Sequence, residues 1–213
     1  MIERYTWSGG TEAMLRFGPP TGVVVTAILP LLEEANRTRG LVIATLRDLG
    51  QRGIAGALPD LPGTGESALP TDAVRLADLR TALAAAVRTF GRPAVTFAIR
   101  SGALLDADAP VAARWLLAPQ GGDDLLRAWR RLSAGDMVAG NQVAPELHAA
   151  LSGADPVATD IPTRVVRLDT DPRPADRKLA GAPPWHRAEP DTDLKLAATL
   201  ADDIATWVER CAA

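Results

Sequence analysis

Five short apolar runs, each closed by turn residues and followed by a segment of helical periodicity, constrain this chain more than any other feature. They are "GVVVTAIL" (22–29), "IAGALPD" (54–60), "AVTFAI" (94–99), "ARWLLAP" (113–119) and "TRVVRLD" (163–169). A strand exposed on one face alternates polar and apolar residues, whereas a continuously apolar one is covered on both faces. The intervening segments 36–49, 73–90, 122–135 and 193–211 read as helices, with Asp72 as the expected cap of the second and glycines 50 and 53 ending the first. Strands alternating with helices predict an α/β fold, a mostly parallel sheet with helices on both faces. The amino-terminal "ERYTW" and "AMLRFG", joined by "SGG", predict an antiparallel hairpin ahead of it, and "PWHRAE" (184–189) reads as a last short strand.

At 213 residues the chain suits one core, so a single domain over 1–213 is expected, with the polar stretch at about 119–160 inserted as a small cap over the sheet's carboxyl edge. The 23 basic and 26 acidic residues are scattered, which argues against nucleic acid as a partner. "VVVTAILPLL" is broken by Thr26 and Pro30 and falls short of the roughly 20 residues of a membrane span. "MIERYTW" lacks the apolar run of a signal peptide, and the single Cys211 permits no internal disulfide, so a cytoplasmic location is the default expectation. With two histidines and one cysteine at no ligand spacing, neither a metal nor another cofactor is expected. "GTGES" lacks the third glycine of a dinucleotide fingerprint, and no Lys-Ser or Lys-Thr pair follows it as a phosphate loop requires.

The passage from "AVTFAI" through Arg100, Ser101 and Gly102 into "ALLDA" predicts a sharp strand-to-helix turn. Such a turn needs small residues two positions before and two after its apex. Placing Arg100 at the apex puts Ala98 and Gly102 there, whereas placing Ser101 at the apex puts Ile99 at the first. Arg100 therefore fits the apex. Arginine stays protonated and is no nucleophile, but its guanidinium can grip a carboxylate or phosphate.

This element order resembles the α/β-hydrolase plan. "DLPGTGES" (60–67), "LPLLEEANRTR" (29–39) and "RWLLAPQGGDDLLRAWRRL" (114–132) are similar to the exosortase A system-associated hydrolases, a bacterial branch. The resemblance implies an α/β-hydrolase-type fold, arginine at the elbow and a setting near envelope or exopolysaccharide production. Two functions follow as expectations. In one, Arg100 with Glu34, Asn36 and Arg37 holds a small anionic or acyl ligand in a former active-site cleft. In the other, Ser101 or an activated water works with Asp169 and His186 as an ester or acyl hydrolase. His186 reads more often as a surface or edge histidine than as a general base, Ser101 more readily as a helix cap than as a nucleophile, and Asn36 equally as the cap of a solvated helix start. The partner in either case is a small molecule, and a homodimer is compatible with the chain.

Overall fold

The computed structural model describes residues 1–134, 137–158, 160–187 and 189–212. In chain order the elements are β1 (Ile2–Trp7), β2 (Gly10–Phe17), β3 (Val24–Ile28), α1 (Glu33–Gln51), β4 (Ala55–Pro59), α2 (Leu76–Arg88), β5 (Ala94–Ile99) and β6 (Ala113–Leu117). There follow α3 (Gly122–Leu132), the two-residue strands β7 (Ser133–Ala134), β8 (Met137–Val138) and β9 (Asn141–Gln142), then α4 (Pro145–Leu151), β10 (Thr163–Leu168), β11 (Arg177–Leu179) and α5 (Leu194–Ala212).

Eight strands make one sheet in the order β1-β2-β4-β3-β5-β6-β10-β11. The β1–β2 and β2–β4 pairings are antiparallel, and every other pairing in that sheet is parallel. All residues of β3, β4, β5 and β6 are buried, which is why these strands read as unbroken apolar runs.

Alternation along each strand divides the interior into two cores. Val95, Phe97 and Ile99 pack with Leu41, Leu46 and Leu49 of α1 and Leu200 and Ile204 of α5. Ala94 and Ala98, with Ala55 and Ala57 of β4, face Leu79 and Leu83 of α2, Trp129 of α3 and Leu147 of α4. Large side chains thus dominate one face and alanines the other. Phe97 and Trp115, cross-strand partners, meet edge to face with centroids 5.3 Å apart.

Each core carries a satisfied charge. Asp203 on α5, 1% exposed, accepts hydrogen bonds from Trp115 Nε1 (2.8 Å), Arg164 Nε (2.8 Å), Arg164 Nη2 (2.9 Å) and Arg177 Nη1 (2.6 Å). Burial alone would raise its pKa, but bonds from Arg164, Trp115 and Arg177 pull it down to about 2. On the other face, buried Asp106 accepts from Thr96 Oγ1 (2.8 Å) and Arg114 Nε (2.9 Å).

Several local expectations are corrected. α1 begins at Glu33, so Asn36 lies inside its first turn and caps nothing; Leu32 is the N-cap, and Glu33 and Glu34 complement the helix dipole instead. Asp72 sits in a separate 3-10 turn (Thr71–Ala73), and α2 starts only at Leu76. Arg100–Leu104 makes a 3-10 turn and no α-helix follows, because Asp106 leaves the helical path to meet Thr96 and Arg114. Pro184–His186 is also a 3-10 turn; the last strand is β11, paired to β10 through three residues. Residues 135, 136 and 159 of the expected cap, 135 of the expected third helix, and 188 of the expected last strand lie outside the described residues. Among the described residues no helix is long and apolar enough to cross a membrane.

Candidate functional site

At the carboxyl ends of β3, β5 and β6 the backbone takes conformations that side chains disfavour. Leu32 (φ 54°), Arg100 (φ 54°) and Ala118 (φ 47°) are three of the four non-glycine residues with positive φ among those described. Each costs roughly 1–2 kcal/mol, and such strain gathers where a site demands it. Arg100 is the apex of the turn after β5. At Gly102 a Cβ would stand 2.7 Å from Ile28 O and 2.8 Å from Leu29 O, so the turn presses against β3 too closely for any side chain.

Arg100 is 8% exposed. Its Nε and Nη2 donate to Glu34 Oε2 (3.2 Å) and Oε1 (3.3 Å) in a fork, and its Cζ lies 5.1 Å from the Trp185 ring centroid. Arg37, one turn along α1 from Glu33, pairs with that carboxylate and donates from Nη1 to Trp185 O at 3.0 Å. These groups form one wall of an open cleft of about 750 Å³. Its other walls come from the segment after β6 (Gln120, Arg127, Arg131, Leu132) and the loops around β11 (Asp171, Arg173, Trp185, His186).

Five arginines and four carboxylates line the cleft. Arg127 pairs with Asp124, and Asp171 accepts from Arg173 Nη2 (2.7 Å) and Arg167 Nη1 (2.8 Å). Hydrogen bonding from Arg173 first, then Arg167, holds the Asp171 carboxyl well below the usual carboxylate range. Two groups stay uncommitted. Arg131 has no ion-pair partner among the described residues, and Gln120, 3% exposed, has a buried Oε1 that accepts no hydrogen bond. A buried acceptor without a donor costs about 1–3 kcal/mol, which a ligand's N–H or O–H could recover.

The structure brings Arg100, Glu34 and Arg37 together. Asn36 points elsewhere, into a second pocket of about 350 Å³ with Arg39, Asp60 and Thr64. Ser101 is 0% exposed, and its Oγ accepts the Leu31 backbone N–H at 3.0 Å, so it lies under the cleft and not in it. Asp169 is exposed, its N–H donates to Leu179 O, and it is absent from the cleft wall. His186 does reach the cleft, exposed on its 3-10 turn against Trp185. No hydrogen bond joins Ser101, Asp169 and His186 to one another; the expected triad is not assembled. Sequence reasoning missed Gln120, Trp185 and Arg131 as cleft residues. Gln120 alone left a signal, a polar residue just past a buried strand's carboxyl end. Among the described residues, no group of three or more His, Cys, Asp or Glu side chains could hold a metal ion.

No protein-family model and no curated protein sequence matches the chain. Solved structures do. A Burkholderia cenocepacia protein assigned as an aryl esterase superposes at TM-score 0.68 and 16% identity, covering 99% of both chains. Est1E from Butyrivibrio proteoclasticus, solved with ferulic acid bound, gives 0.65 and 12%, covering 98% of this chain and 99% of that one. The bottromycin epimerase BotH, in complex with bottromycin A2, gives 0.59 and 16%, with 99% of both chains covered. Identities this low speak for the fold alone. With the strand order and the helices on both faces, they establish that the chain has the α/β-hydrolase fold.

Proposed function

We propose that this protein binds a small anionic or acyl ligand without turning it over. The ligand would lie in the cleft between a degenerate nucleophile elbow, with Arg100 in place of serine, and a cap formed by about residues 119–160. The observation that carries the reading is the elbow itself. At the position from which a hydrolase of this fold presents its nucleophile, a permanently protonated side chain sits at φ 54°, buried and forked onto Glu34. Because Glu34 already balances Arg100, the charge left for a ligand is that of Arg131, with Arg37, Arg127 and Arg173 around it. Arg100 then shapes the floor and presents its face, more than its net charge, to the bound molecule. Strain at the ends of three neighbouring strands fits a site held in shape before binding. The resemblance to the exosortase-associated branch supports a bacterial setting for this role, near envelope or exopolysaccharide production.

Calorimetry with short carboxylates and with inorganic phosphate tests the reading. Binding without turnover is expected, weakened at least ~10-fold in Arg131→Ala, which removes the cleft's uncommitted cation, an effect of about 1.4 kcal/mol. Binding that survives both Arg131→Ala and Arg100→Ala would overturn it.

The exposed His186 imidazole in the cleft favours a second reading, an ester hydrolase in which that ring activates water. It requires hydrolysis of activated esters that falls by at least ~10²-fold in His186→Ala. Rates equal in the two proteins would remove it.

A further inference from the structure

The cleft continues beyond its ionic walls. Between Leu31–Leu32 and the underside of α3 lies a void of about 20 Å³, and beyond it, toward α4, another of about 30 Å³. Ala128 and Leu132 line both the cleft and the first void, while Leu31, Leu32 and Trp129 line both voids, and Leu147 closes the far end. Together they trace one seam from the arginines to the interior of the α3–α4 segment.

Three properties suit that seam to hydrocarbon. Its walls are mostly apolar, the exceptions being Glu33 and Glu34 in the first void and Thr64 and Thr71 in the second. At its mouth Leu132 is 48% exposed, and Met137 on the neighbouring β8 is 44% exposed, apolar surface placed beside a charged cleft. The cover is lightly built, from helices of 11 and 7 residues and three two-residue strands, with Ala139 strained at φ 48° where it lines the first void. Interiors are packed close to crystal density, and a row of gaps along one interface is where they part most cheaply.

We infer that the ligand is a straight-chain fatty carboxylate, its head among the cleft arginines and its tail in the seam between Leu31–Leu32 and Trp129. This rests on the anion-binding reading and adds the chain to it. Both voids are small beside the cleft, so the tail enters by lifting α3 and α4 off Leu31 and Leu32. Once seated, it replaces contacts that the gaps leave unmade.

The experiment is calorimetric titration of the full chain with sodium acetate, butyrate, hexanoate, octanoate and decanoate below their micellar concentrations. Affinity should rise about fourfold per added methylene, the worth of burying that group, and Ala128→Phe should shrink the advantage of octanoate over butyrate at least ~10-fold by narrowing the seam. Ala128 is half-buried, and a thermal melt by circular dichroism verifies that the variant folds. A second measurement stands apart from that variant: brominated decanoate should quench tryptophan fluorescence, and Trp129→Phe should remove part of the quenching. Acetate and decanoate binding equally would overturn the inference and leave the anion site standing. If no carboxylate of any length bound, the inference would fall, and the anion site with it unless inorganic phosphate bound.

Discussion

Asp203 and Arg100 are both buried charges set against the same sheet, one on α5 and one in the turn after β5, but they are housed in opposite ways. Asp203 receives four hydrogen bonds from three side chains, lines neither the cleft nor the three smaller pockets, and sits among residues of ordinary backbone conformation. Arg100 is held by one carboxylate and one ring, occupies a strained turn, and faces a cleft where, among the described residues, another arginine has no ion-pair partner and a buried amide oxygen no donor. Full satisfaction marks a group that ties elements together, here α5 to β6, β10 and β11. Leftover capacity beside an opening marks a group kept for something that arrives from outside.

That contrast can be broken by substitution. Asp203→Ala leaves the largely buried Arg164 and the Trp115 indole N–H without their acceptor and should cost about 3 kcal/mol, read from urea denaturation. Arg100→Ala should cost less than half as much, because Glu34 is open to solvent on the cleft side. Equal losses would mean that Arg100 is as structural as Asp203. The next largest effect is acid sensitivity. The Asp203 pKa is depressed from 3.8 to about 2 on folding, so its contribution is present above pH 3.8 and is lost as pH falls through about 2. A decline of roughly 2 kcal/mol across that window is expected, and Asp203→Asn should flatten that part of the profile. The smallest effect separates strain from charge at the elbow. Arg100→Gly and Arg100→Ala both remove the ion pair, but only glycine relaxes φ 54°, so Gly should be more stable than Ala by about 1 kcal/mol.

Much of this architecture is legible in the chain. Runs such as "AVTFAI" and "ARWLLAP" announce strands buried on both faces, and the small-residue test at positions 98 and 102 selects the apex where the backbone does turn left-handed. β11 escapes notice because a three-residue edge strand beginning Arg177–Lys178 needs no apolar pattern. The site is legible only where its residues are neighbours in sequence. With 3.6 residues per turn, starting α1 at Glu33 sets Glu33, Glu34 and Arg37 toward one pocket and Asn36 and Arg39 toward the other. Gln120 reaches the cleft from the loop after β6, Arg131 from the end of α3 and Trp185 from a 3-10 turn, and no local periodicity records which elements a fold will bring together.

The Asp203 cluster also bears on how the molecule is made. Its donors precede it by 88, 39 and 26 residues in the chain, at Trp115, Arg164 and Arg177. During synthesis all three leave the ribosome before the carboxylate they require, so the far half of the sheet waits with two cations and no counter-charge. Its closure is delayed until the last helix has emerged, and a nascent chain paused short of α5 is the form most exposed to proteases and to wrong partners.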